Sequence, residues 1–351
     1  MTLNQAILRL LLLGTQLDLP PQPPKPQPPQ RLVPLIKAIA PAHKAFDDRA
    51  VFAAHRYRSG FWSIYLMSAI AVLCAVMPLA LGWDSRSHAL HPFAGLWAVA
   101  EVCTIAVVSA IYWRGHRRDW QGEWLRTRTT AELTWYLPLV APLVDFNVAP
   151  GKGSWYQRVF EPGQHLPATD EVALLCDRND ALARRILENV WSDPEFVSSY
   201  ANWSIDILLG QRHYHQRIAI IQHALLHRVH RINGTLFGLT ALGAMLHLWL
   251  HTLWLSLVTT FFPALGASLH GALAQSESYR LEATSERLAE DLHGAIERIR
   301  SALDKAVLVS DSDARTSAEP IKNSIEAAIA LILEEHQDWQ MLVRPHHLPL
   351  G

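Results

Sequence analysis

From Ile232 to Ser276 the chain carries no Asp, Glu, Lys or Arg. A bilayer core takes ~20 apolar residues in a helix, so this stretch divides into two spans, about 232–251 and 254–275, joined by a tight turn. Ser59 to Trp83 is equally clean, and Ser87 to Trp113 is broken only by Glu101; they predict spans at about 60–83 and 91–113. The expected fold class is an all-α polytopic membrane protein: two transmembrane helical hairpins, four spans in all, with cytoplasmic helical extensions.

The flanking pattern divides the chain into five segments. Residues 1–34 hold a short apolar helix and a Pro-rich spacer, Gln22 to Gln30, whose prolines favour an extended conformation. Ala6 to Leu13 resembles a signal-peptide core but lacks a basic leader and a cleavage site, and it reads as a docking helix. Residues 35–134 hold the first hairpin and a helical extension, and 135–230 a cytoplasmic segment. In that segment Pro138, Pro142, Pro150, Gly151 and Gly153 break the helix and leave an irregular stretch up to Pro167. Two helices follow, capped at Thr169-Asp170-Glu171 and at Ser192-Asp193-Pro194-Glu195, and the second runs straight toward the third span. Residues 231–306 hold the second hairpin and a helix continuing into the cytoplasm. There Leu281, Leu288, Leu292, Ile296, Ile299 and Leu303 form a coiled-coil-like stripe. Residues 307–351 hold a last helix, starting after Ser317-Ala318-Glu319-Pro320, whose partner is that stripe in its own or a neighbouring subunit.

The two hairpins repeat approximately. His55-Arg56-Tyr57-Arg58 and His227-Arg228-Val229-His230 register at an offset of about 172, and Ala131-Glu132-Leu133 matches Ala289-Glu290-Asp291-Leu292 at about 158. This is the pattern of a duplicated hairpin with both copies in parallel. Orientation follows from arginines at the span ends: Arg56, Arg58, Arg114, Arg117, Arg118, Arg228, Arg231 and Arg280 all fall on one side, the cytoplasmic one. Both termini are expected there, in a plasma (inner) membrane.

Composition changes this picture little. Half the residues are hydrophobic and 18% charged, an average over membrane and aqueous parts. A net charge of −1 argues against nucleic acid as partner. Cys74, Cys103 and Cys176 are too scattered for a disulfide framework or zinc knuckle. No nucleophile elbow, phosphate loop, GxGxxG or CxxC is present, so neither an enzyme nor a cofactor is expected.

Asp193-Pro194-Glu195-Phe196, Tyr200, Gln211, Tyr214-His215, His227-Arg228-Val229-His230-Arg231, the run Pro263 to Gly271, Ser285-Glu286-Arg287 and Glu334 to Trp339 follow one another in an order that resembles a bacterial family. The order is similar to that of the SMODS- and SLOG-associating two-span (SLATT-type) membrane effectors, often linked to TRPM-like SLOG domains, over roughly Phe46 to Pro345. The resemblance implies a pore-forming or membrane-perturbing effector in a bacterial defence system, controlled by a nucleotide-sensing partner. No SLOG-like βαβ sequence precedes the spans, so the sensor is expected on a separate chain.

Among individual residues Glu101 stands out, because an ionisable group inside a span costs ~2.5–3.5 kcal/mol and usually faces a bundle interior or water. It is a pore or ion-path candidate, or else a structural acid, with Thr104 on its face and His247, His251 and His270 as partners from the other hairpin. His223/His227/His230 and His247/His251 have ligand-like spacing but no carboxylate or thiolate beside them, and they read as interfacial residues rather than a metal site. Trp62, Trp83, Trp97, Trp113, Trp249 and Trp254 lie near span ends, where such rings anchor in headgroups. Gly234, Gly238, Gly266 and Gly271 supply small faces for helix packing. Two classes of function stay open: a homo-oligomeric, gated conduction path in the lipid bilayer, or a membrane-anchored scaffold that recruits a cytoplasmic partner without conducting.

Overall fold

The computed structural model describes residues 2–144, 170–250, 252–308 and 314–343. Among these all regular structure is helical. The helices are α1 (Leu3–Leu11), α2 (Val33–Ala80), α3 (Ala94–Arg117), α4 (Trp120–Val140), α5 (Asp170–Leu187), α6 (Pro194–His247), α7 (Leu253–Gln275), α8 (Ser278–Leu308) and α9 (Ala314–Val343). Three helical segments are long and apolar enough to cross a membrane, those of α2, α3 and α7. The fourth expected span is the tail of α6. Its uncharged part runs only from Ile232 to His247 before the helix stops, ~24 Å at 1.5 Å per residue, against a hydrocarbon core of ~30 Å.

α2 and α6 organise the molecule, with 48 and 54 residues in unbroken helix. The start of α6 follows the sequence signal: the Asp193 side chain accepts hydrogen bonds from the N–H groups of Glu195 and Phe196 at 3.1 and 3.3 Å, and Pro194 opens the first turn. α3, α4 and α7 pack along α2, and α7 and α8 pack along α6.

Two apolar clusters hold these helices together. The first joins Leu35 and Ile39 of α2 to Leu133 and Leu137 of α4, Val172 of α5, Phe196 and Tyr200 of α6, Leu292 and Ile296 of α8, and Ile321 and Ile325 of α9. Tyr200 is fully buried and donates its hydroxyl hydrogen to the Leu139 carbonyl at 2.5 Å. The second forms a collar where the apolar windows begin. It contains Tyr57, Phe61 and Trp62 of α2, Trp120 and Trp124 of α4, Leu225 and Val229 of α6, and Leu269 and Ala272 of α7, with Leu11 of α1 against it.

Several boundaries differ from the sequence reading. α3 does not run on as one helix; Asp119 takes a left-handed conformation (φ 44°), accepts the Gly122 N–H at 3.1 Å and starts α4 afresh. Pro138 does not end α4, which runs to Val140, because a proline in a last turn removes a single backbone hydrogen bond. The helix after α7 is likewise interrupted, by Glu277 with φ 55°. The last helix starts at Ala314 and contains Pro320, and it folds back on the α8 stripe within the same chain. The irregular stretch expected up to Pro167 falls largely outside the described residues, as do Thr169 and His251.

Candidate functional site

Between the two clusters the helices enclose a cavity of about 560 Å³. It opens where α1, α2, α4, α6 and the α7–α8 junction meet, on the side of the collar away from the apolar windows. Its lining on α2 runs from His43 to Trp62, ~28 Å of helix, so it follows α2 as a slot rather than a sphere. α1 closes one side with Asn4 and Leu8, held by a capping box of Thr2 and Gln5 and by Thr2 Oγ1 at 3.5 Å from His55 Nδ1. The amino-terminal helix therefore lies over this slot.

The polar lining is concentrated around two arginines. Arg128 pairs with Glu132 one turn away, and Asp47 of α2 lies in its field. Burial opposes its charge, yet Glu132 and Tyr214 outweigh burial and raise its pKa. Arg58 is different. It is half-buried, no carboxylate pairs with it among the described residues, and its guanidinium lies over the Trp124 ring at 5.2 Å. Burial pulls its pKa below the usual arginine value, Tyr214 opposes this, and the Arg128 guanidinium adds to the fall. An enclosed cation facing another cation is costly unless something compensates it. Opposite, the Gln222 Oε1 is buried with no donor.

Two further lining groups are held neutral. Burial pushes the Tyr57 hydroxyl up to about 12, against the hydrogen bond donated by Gln275 Nε2 at 2.8 Å. Burial likewise takes His215 down to about 4, despite the opposing Glu132 charge. His215 Nδ1 lies 3.4 Å from Ser285 Oγ, a hydroxyl beside an imidazole. So low a pKa makes this His a weak base, and Glu132 pairs with Arg128. The arrangement suits binding: a guanidinium without an anion, an amide oxygen without a donor, and aromatic walls from Trp62 and Trp124.

The residues singled out in sequence lie elsewhere. Glu101 sits on the half-buried stripe of α3 that faces α2, with Thr104, Val108 and Ile111, and has no partner among the described residues. Thr104 donates to the Ala100 carbonyl at 2.7 Å. His247 and His270 are exposed, one at the end of α6 and the other near the far end of α7. α2 lies between α3 and α7, so the chain does not bring Glu101 against these histidines. Of the glycines, Gly271 packs beneath the Tyr65 ring and Gly266 lies against Asn233 and Leu236, whereas a methyl group added at Gly234 or Gly238 would meet nothing from another helix within 4 Å among the described residues. His223 pairs with Glu282 at 2.6 Å. Sequence reasoning used Arg58 only as a topology marker; its one further signal is that it is a basic residue immediately before an apolar window. Comparison of the chain with protein-family models, with curated proteins and with solved structures finds no match.

Proposed function

We propose that the protein is a membrane effector with four spans in two hairpins, both termini cytoplasmic, in which the state of the cytoplasmic helices is passed to the spans. The observation that carries this reading is the continuity of α2 and α6, each of which lines the slot and extends without a break into the apolar region. A ligand in the slot, or a partner on the cytoplasmic cluster, is thereby coupled to the spans through two helices rather than through a linker. The reading treats the α6 tail as a short span, matched by local thinning of the bilayer. The slot is a binding site rather than an active site, and the spans form a pore or perturb the membrane when the cytoplasmic side is engaged. The control is by a nucleotide-sensing partner of the SLOG type, in a bacterial defence role, as the order of motifs implies.

Flux from liposomes tests it. The purified protein, given its partner and candidate nucleotides, is expected to release trapped ions, and Glu101→Gln is expected to change the rate or selectivity several-fold. No release under any of these conditions, together with an unchanged growth phenotype for Glu101→Gln, sinks the conducting function. The second reading, an anchored scaffold, is favoured by the position of Glu101 against α2 with no polar stripe beside it; partner capture without flux is its signature.

A further inference from the structure

The two halves of the chain repeat one arrangement and leave one interface unmatched. α2, α3 and α4 succeed each other as a long helix, a return helix and a helix folded back along the long one, and α6, α7 and α8 do the same. The left-handed residues that end the two return helices, Asp119 and Glu277, stand at the offset of about 158 that registers the trailing helices. At that offset Val108 of α3 corresponds to Gly266 of α7, and both face their own long helix. Gly266 lies against Asn233 and Leu236. Val108 packs on the cluster that contains Phe61 and Ile64, the counterparts of that pair at the offset of about 172.

The correspondence stops at the next contact. α7 packs on α2 as well as on α6, with Gly271 beneath Tyr65, but α3 makes no comparable contact with α6. No residue in the apolar window of α3 is fully buried in the single chain, and the faces turned away from α2 are exposed. Its position matching Gly271 is Trp113, 57% exposed, and the α6 position matching Tyr65 is Phe237, 75% exposed. Both matching positions carry a ring, so the ring-on-glycine pair itself is not repeated and the small residues stand beside it. α2 sets a ring on a glycine, whereas α3 carries the ring, and α6 has the open notch of Gly234 and Gly238 on either side of Phe237.

We propose that α3 of one copy packs on α6 of the next as α7 packs on α2 within the chain, joining copies head to tail into a ring about the membrane normal. A two-fold axis inside the chain makes both contacts at once; this chain makes only one, so the step from unit to unit is open and continues into a neighbour. The partner that covers this face is a second copy of the chain, and the small residues on α6 allow the close approach that helix association in lipid requires. The proposal rests on the reading of α6 as a span but not on conduction.

Cysteine cross-linking in membranes tests it, in a chain with Cys74, Cys103 and Cys176 replaced by Ala. A chain carrying both Phe237→Cys and Trp113→Cys, treated with copper phenanthroline, is expected to give a ladder of dimers, trimers and higher species. Two differently tagged chains carrying one substitution each are expected to give a mixed dimer. Monomer throughout, with the face left to lipid, overturns the proposal, as do self-linked dimers of each single variant in place of the mixed one. Gly238→Trp in the natural cysteine background is a second measurement. Filling the notch is expected to shift the detergent-solubilised protein from oligomer to monomer at least fivefold by light scattering, and an unchanged mass counts against the ring. A ladder without ion flux leaves the ring standing and removes conduction; flux without a ladder does the reverse.

Discussion

His215 shows how the slot constrains a single residue. The side chain is 8% exposed, faces Ser285 of α8 and Glu132 of α4, and shares the cavity with Arg58, Asp47 and Arg128. Its folded pKa, about 4, lies below the ordinary value near 6.5. The unfolded chain therefore binds a proton that the folded chain refuses over that interval. The stabilisation is complete above pH 6.5 and is lost as pH falls toward 4, with a limit on the order of 3 kcal/mol. Thermal unfolding in detergent is expected to show a midpoint several degrees lower at pH 5 than at pH 7, and His215→Gln is expected to flatten that difference. An equal pH dependence in the variant assigns the effect to other groups. Cys176 is a simpler case: burial raises its thiol pKa, so it stays a protonated packing residue.

The helices divide into those that sequence exposes and those it hides, for identifiable reasons. α2, α3 and α7 are legible because the absence of charge is a local property, and the α6 start is legible because Asp193 and Pro194 carry their signal within one turn. The junctions at Asp119 and Glu277 are not, since a left-handed acidic residue has no marker of the kind glycine supplies. The slot is hidden for another reason. Its walls come from seven helices, and Arg58, Arg128, His215 and Ser285 become neighbours only by packing. Glycines separate the same way, by what their helix meets. A methyl group added at Gly210 of α6 would meet nothing within 4 Å, whereas one added at Gly271 of α7 would run into the Tyr65 ring. Gly210→Ala is expected to stabilise by ~0.5–1 kcal/mol through helix propensity, and Gly271→Ala to destabilise by ~1–3 kcal/mol through overpacking. Melting midpoints that move in the same direction for both contradict this account of the α2–α7 contact.

At the scale of the whole molecule, α1 is a removable wall. It contributes Asn4 and Leu8 to the slot and Leu11 to the collar, and a Pro-rich spacer without regular structure ties it to α2. Deleting residues 2–12 is expected to lower the melting midpoint by a few degrees. It is also expected to increase acrylamide quenching of tryptophan fluorescence, since Trp62 and Trp124 line the space it covers. Unchanged quenching places the access route elsewhere.

The length of α2 has a mechanical consequence. Arg58 lies near its middle, with ~38 Å of helix toward Val33 and ~33 Å toward Ala80, and the slot presses on it at that point. A helix loaded at its centre is a lever with its fulcrum at that point. A rotation of ~5° there displaces each end by ~3 Å in opposite directions. That is comparable to the small shifts by which packed interfaces switch between alternative arrangements. Because α6 lines the same slot, the shape of whatever fills the space between them sets the angle between the two long helices.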